Sequence, residues 1–158
     1  MWRRTRRFLA LPSPGRALLL EAMLRLAWAR LELMVFPFRR IAARLGGAQA
    51  TTSSTTPSPP GAAASPASPR HAAIVREVAW AVTCAARHLP FEAACLPQAL
   101  AATSMLARRG VPSVLHFGLA RATTPDAALT AHAWVDADGL EVTGYPVASQ
   151  FTEVARFS

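Results

Sequence analysis

The spacing of apolar residues divides the chain into a helical first part and a second part made of strands. Apolar positions three and four residues apart predict four helices, over residues 13–36, 39–45, 70–89 and 95–109. Ser13-Pro14 and Ser68-Pro69 mark the start of two of them, because Ser is a preferred N-cap and Pro fits the first turn. From residue 111 the spacing becomes two and predicts strands over 111–120, 130–136 and 140–143, with a weakly alternating tail over 145–158 that edges the sheet. Helices followed by a small antiparallel sheet indicate an α+β fold.

A change of composition separates two parts of the chain. Residues 46–69 are rich in Pro, Ser, Thr and Ala and contain almost no large apolar side chain and no charge. Such a segment cannot form a core, and we interpret it as a flexible linker. The sequence therefore predicts a basic N-terminal helical segment over 1–45, the linker over 46–69 and a domain over 70–158.

The positive charge of the chain is confined to its N-terminal segment. The net charge is +8, and residues 1–50 hold ten Arg and two Glu, whereas the remainder holds seven Arg and seven acidic residues. Basic segments bind nucleic acid, membrane surfaces or acidic proteins. No zinc-finger spacing or RNA-binding aromatic motif is present, so we expect no nucleic-acid partner. Our hypothesis is that the segment docks an acidic surface of a partner protein, and loose contact with a membrane surface stays open.

An arginine-rich start followed by an apolar run is also typical of a signal peptide or a membrane anchor. Charged residues interrupt this run every few positions, which is costly inside a bilayer; they are Glu21, Arg25, Arg30 and Glu32. No small-residue cleavage site follows the run. We therefore expect an amphipathic helix that packs on the domain or on a partner.

Cys95 and His132 are the candidate catalytic residues that the sequence itself suggests. Cys95 stands at the start of a predicted helix with Pro97 in the first turn, near unpaired backbone N–H groups and the positive end of the helix dipole, which favour a nucleophilic thiolate. His132 lies on the second predicted strand, and an imidazole can take the thiol proton and later protonate a leaving amine. The other cysteine, Cys84, lies within a helix and is interpreted as a small buried thiol. Two cysteines make no disulfide framework, so we expect a reduced, cytoplasmic setting.

The other polar residues are weaker candidates for a functional role. No pair of His or Cys has the spacing of metal ligands, so the sequence predicts neither a metal nor a cofactor. His116, on the first predicted strand, is interpreted as structural. The backbone N–H of Cys95, or the amide of Gln98, is a candidate donor to an oxyanion.

Three short runs in this order carry a resemblance to a known family: CLPQAL over 95–100, RRGVP over 108–112 and AHAWV over 131–135. With the opening helix, they resemble the transglutaminase-like proteins of lasso peptide biosynthesis, over the whole chain except the linker. The resemblance implies a transglutaminase-like, papain-like α+β fold with an N-terminal helical extension. It also implies a hydrolase, a cysteine peptidase that removes the leader from a ribosomally made precursor before a separate ATP-dependent cyclase closes the macrolactam. Since residues 1–45 are too short and too helical for a recognition domain, we expect a separate leader-recognition protein.

The resemblance further implies a third catalytic residue, an Asp on the strand after the histidine. If Asp138-Gly139 is a two-residue turn, residue 137 pairs with 140, 135 with 142 and 133 with 144. The position beside His132 is then Gly144 or Tyr145, neither of which has a carboxylate. Asp136 shares a strand face with His132 and remains a candidate; otherwise a carbonyl or water holds the imidazole.

Two alternatives to the peptidase stay open. A related acyl-transfer enzyme would pass the acyl group to an amine rather than to water. A non-catalytic assembly protein would dock the leader peptide and the cyclase, with Cys95 as a small core residue, and the missing carboxylate near Gly144 favours it.

Overall fold

The computed structural model describes residues 13–44, 49–50, 68–120 and 129–158. Its helices are α1 (Ser13–Val35), α2 (Phe38–Arg44), α3 (Pro69–Ala86) and α4 (Cys95–Ala107). Its strands are β1 (Gln49–Ala50), β2 (Val114–Ala120), β3 (Thr130–Ala137), β4 (Leu140–Thr143) and β5 (Thr152–Phe157), and a 3₁₀ turn, Val147–Gln150, precedes β5. Helices followed by an antiparallel sheet confirm the predicted α+β class.

The strands form one antiparallel sheet in the order β1-β5-β2-β3-β4. The C-terminal tail joins this sheet as β5. It lies between β2 and the two-residue strand β1, which forms the edge of the sheet. β1 falls within the predicted linker; the remainder of the linker up to residue 67, the arginine-rich residues 1–12 and the predicted loop over 121–128 lie outside the described residues. The Asp138-Gly139 hairpin turn is confirmed, with both residues at positive φ.

One face of the sheet packs on the helices and forms the core. Alternate residues of β3, among them Ala133 and Val135, are buried against α4, as is Leu115 of β2. The side of α1 that carries Leu26 packs on α3 and α4 and belongs to the same core. The predicted packing of this helix on the domain is therefore confirmed within the described residues. The expected amphipathic character is wrong, because large apolar side chains such as Leu24 and Trp28 also occupy its outer side. The three-part division of the chain stays a prediction. None of the described helices is long and apolar enough to cross a membrane.

An ion pair joins α1 to the turn after α4. Arg109 Nη2 donates to Glu21 Oε2 at 2.7 Å, Arg109 Nη1 lies 3.4 Å from Oε1, and Arg108 Nε lies 3.5 Å from Oε1. The hydrogen bond from Arg109 is the main reason that the pKa of the Glu21 carboxyl is lower than its ordinary value. The Arg109 and Glu21 side chains are 26% and 25% exposed, and the pair links α1 to the C-terminal end of the helix that begins at Cys95.

Glu21→Gln should lower the free energy of unfolding by about 1 kcal/mol at neutral pH, measured by denaturant titration. Because folding lowers the Glu21 pKa, the stabilisation is complete above the ordinary carboxyl pKa and is lost as the pH falls through the lower folded-state value. The difference between wild type and variant should therefore vanish in acid.

Glu32→Gln is the matched control, since it removes a pair with Arg44, whose side chain is 70% exposed. It should cost less than about 0.5 kcal/mol. Equal losses in the two variants would show that the Glu21 pair has no special role.

Candidate active site

Cys95 is the first residue of α4. The preceding residue, Ala94, is extended, and the first helical hydrogen bond runs from Gln98 N–H to the Ala94 carbonyl at 3.3 Å. The N–H groups of Cys95 and Leu96 therefore precede the regular hydrogen bonding of the helix. Gln98 Nε2 also donates to the Ala93 carbonyl at 2.6 Å and so ties the helix to the loop before it. The half-buried thiol thus stands at the positive end of a well-defined helix.

His132 lies on the face of β3 that points away from the helical core. Its Nε2 is 2.8 Å from the carbonyl oxygen of Gly144. Since a carbonyl oxygen only accepts, Nε2 carries the hydrogen and the neutral ring has its free lone pair on Nδ1. The ring stacks on Phe151 with centroids 4.8 Å apart and on Trp134 at 6.2 Å. Backbone and aromatic contacts together fix both the tautomer and the plane of the imidazole.

The structure brings Cys95 and His132 to one cavity of about 420 Å³. The cavity lies between the start of α4 and the β3–β4 hairpin. Its other lining residues are Thr83, Gln98, Glu141, Val142, Thr143, Gly144, Tyr145 and Val147. Cys95 and His132 therefore line the same open cavity.

Asp136 has other partners than His132. Its carboxylate accepts a hydrogen bond from the Tyr145 hydroxyl and lies 3.5 Å from His116 Nε2. Burial, followed by this hydrogen bond, raises the pKa of the Tyr145 phenol, which therefore stays a donor. In the structure, His132 thus donates to the Gly144 carbonyl, whereas Asp136 contacts Tyr145, the residue after Gly144.

The β3–β4 hairpin contains a β-bulge that shifts its register on the side of Gly144. Ala137 pairs with Leu140 as predicted, but Val135 pairs with Thr143, so the predicted pairing of 135 with 142 is wrong. One extra residue in β4 shifts everything beyond it by one position. The alternation of apolar and polar residues does not reveal such an insertion. As a result of the shift, the backbone of Gly144 lies against Ala133 and Trp134 of β3.

Gly144 has no room for a side chain. Its φ is +88°, and a Cβ there would lie 2.6 Å from Trp134 Cβ and 2.7 Å from the Ala133 carbonyl. The close crossing that presents the carbonyl to His132 therefore excludes an Asp at the position where the resemblance implies one.

Two residues beside His132 are absent from the sequence-based prediction. Gly118 pairs with His132 across β2 and β3, and a Cβ there would lie 2.8 Å from both Phe151 Cβ and the Trp134 ring. Glycine at this position thus leaves space for the aromatic rings that hold the imidazole. A glycine inside a predicted strand often marks such a close approach, so Gly118 carried a signal; Phe151 carried none.

His116 supports the site from beneath Trp134. Its ring stacks on Trp134 with centroids 5.3 Å apart, its side chain is only 12% exposed, and its Nδ1 lies 3.3 Å from Glu153 Oε1. These contacts favour the structural interpretation of His116. Within the described ranges no group of three or more His, Cys, Asp or Glu side chains is placed to hold a metal ion.

Comparison with protein families assigns the chain to a class. Residues 32–156 match the family model described as the Transglutaminase-like superfamily, and the chain belongs to this superfamily. Such a domain indicates activity of the cysteine-peptidase or acyl-transfer type. Comparison with curated proteins and with solved structures gives no match.

Gly144→Ala should lower the free energy of unfolding by about 3 kcal/mol, because it adds steric overlap with Trp134 to the strain of a positive φ. Gly110→Ala is the matched control, since Gly110 also has a positive φ but no atom within 4 Å of its would-be Cβ. It should cost about 1 kcal/mol. Thermal and denaturant unfolding measure both, and equal losses would contradict a crowded crossing.

Proposed function

We propose that the chain is a cysteine peptidase that uses Cys95 as nucleophile and His132 as general base and acid. One observation carries the proposal: a helix-start thiol and an imidazole with a fixed tautomer line the same cavity. Membership of the transglutaminase-like superfamily supports it.

In the proposed reaction Nδ1 of His132 takes the proton from Cys95 Sγ. The thiolate attacks the scissile carbonyl carbon, and the resulting oxyanion accepts hydrogen bonds from the N–H groups at the start of α4. Nδ1–H then protonates the leaving amine as the C–N bond breaks. Water, deprotonated by the same nitrogen, hydrolyses the thioester and restores the thiol.

Asp136 acts in this scheme as a positioning residue. Its carboxylate holds the Tyr145 hydroxyl, and Tyr145 directly follows the residue whose carbonyl orients His132. Because this hydrogen bond fixes Tyr145, it also keeps the carbonyl of the preceding Gly144 in place. In this proposal Asp136 acts on the imidazole only through Tyr145 and the Gly144 carbonyl, without touching it.

The proposed substrate is the leader region of a ribosomally made lasso peptide precursor. The proposed partners are a separate leader-recognition protein and the ATP-dependent macrolactam cyclase that uses the freed amine. The motifs around Cys95, Arg108 and His132 support this assignment, as does the open cavity that Cys95 and His132 line.

Two other functions share the same site. An acyl-transfer enzyme would use an amine in place of water in the second half of the reaction. An assembly protein would need no nucleophile, and the neutral carbonyl in place of a carboxylate beside His132 is the observation that favours it.

Leader cleavage, followed by mass spectrometry, tests the proposal with a lasso precursor and a leader-recognition protein. Cys95→Ala should abolish cleavage because it removes the nucleophile, and His132→Ala should lower kcat by about a hundredfold or more. Cys84→Ala is the matched control and should cleave like the wild type.

Full cleavage by Cys95→Ala would overturn the peptidase mechanism. A leader product joined to an added amine would indicate acyl transfer. Absence of cleavage by the wild type, together with alkylation of Cys95 no faster than that of Cys84, would indicate the assembly protein.

Tyr145→Phe and Asp136→Ala should each lower kcat about tenfold without changing KM, because the carbonyl that orients His132 loses its support. The double variant should be no slower than either single variant, since both substitutions break one hydrogen bond.

Asp138→Asn provides the control on the same hairpin. It weakens the 2.7 Å contact between Asp138 and His71, far from His132, and should leave kcat unchanged. A similar fall in kcat for this variant would mean that hairpin stability, not imidazole positioning, is responsible.

A further inference from the structure

Helix α1 is apolar on two opposite faces. One face is buried in the core through Leu19, Ala22, Leu26 and Ala29. The opposite face carries large apolar side chains at intervals of three and four residues, which we call the outer stripe: Leu20, Leu24, Trp28, Leu31, Met34 and Val35. All are at least half exposed, and Leu24 and Met34 reach 71% and 73%.

An outer face of this kind is unusual for a surface helix. The side of such a helix that points to solvent is ordinarily polar, and a helix apolar all round is covered on both sides. A contiguous exposed apolar patch marks an interaction surface. The outer stripe extends over about 24 Å of helix, at about 1.5 Å per residue.

Arginines outnumber acidic side chains around the outer stripe. Arg25 and Arg108 line the same shallow depression as Leu24 and Trp28, and Arg30 is exposed on the other flank. Both acidic residues of α1 are already paired, Glu21 with Arg109 and Glu32 with Arg44. A covering surface therefore needs apolar area together with negative charge.

We propose that the outer stripe docks on an anionic phospholipid surface, with α1 parallel to the membrane plane. The stripe runs along a single exposed helix, which can lie flat in a bilayer interface. Trp28 at the middle and arginines on both flanks are the residue types that favour the interface of an anionic membrane. Docking would bury the stripe at the boundary of headgroups and acyl chains, while the rest of the domain stays in water.

Vesicle flotation with the full chain tests this proposal. The wild type should float with vesicles of phosphatidylcholine and phosphatidylglycerol, less with phosphatidylcholine alone, and less in high salt. The double variant Leu24→Gln/Trp28→Gln should lower the partition coefficient by about tenfold or more. The double variant Leu129→Gln/Val154→Gln changes exposed apolar residues elsewhere and should bind like the wild type. Circular dichroism verifies that each variant is folded.

No flotation of the wild type with anionic vesicles would overturn the proposal, as would flotation that persists after the stripe substitutions. If those substitutions instead reduce the oligomer size in gel filtration, a second copy covers the stripe. If they abolish binding to the leader-recognition protein or cyclase and the wild type ignores vesicles, a protein covers it. Cys95→Ala should float like the wild type, so this test is independent of the proposed peptidase activity.

Discussion

The arrangement of the site depends on one close crossing of two backbones. At Gly144 the chain that leaves β4 passes so near Ala133 and Trp134 that a Cβ atom has no space. The crossing places a carbonyl 2.8 Å from His132 Nε2 and thereby selects the tautomer of the ring. A carbonyl is a neutral acceptor, so it orients the imidazole but adds no full charge to stabilise an imidazolium. The site therefore orients the imidazole without the negative charge that a carboxylate would add.

The surroundings of the crossing keep it in place. The stacked rings of Phe151 and Trp134 hold His132 from its sides, and Gly118 leaves the space they need. On the other strand, the hydrogen bond between Tyr145 and Asp136 fixes the chain just past the crossing. The site is thus a rigid backbone feature supported by side chains, which is the arrangement that a precise acceptor distance requires.

Much of this structure was predictable from local patterns, and the remainder depends on contacts distant in sequence. Apolar spacing, Ser-Pro starts and the Asp-Gly turn gave the helices, the strands and the position of Cys95 at a helix start, because each is a property of neighbouring residues. The bulge opposite Val135 was not predictable, since alternation in a strand as short as β4 fits either register. Asp136 is a different case: it lies four residues from His132 on the same strand, about 13 Å along it, so no register brings the two side chains together. Its contact with Tyr145 joins residues that local patterns do not connect.

The ion pair between Glu21 and Arg109 is one of the contacts that make α1 part of the folded domain. The family match starts at residue 32, in the last turn of α1, yet Leu19, Ala22 and Leu26 of that helix are part of the core shared with α3 and α4. A chain trimmed to the matched range would leave the apolar sides of α3 and α4 facing water and Arg109 without its carboxylate. The helix that precedes the family signature is therefore a structural component of the domain and not a detachable arm.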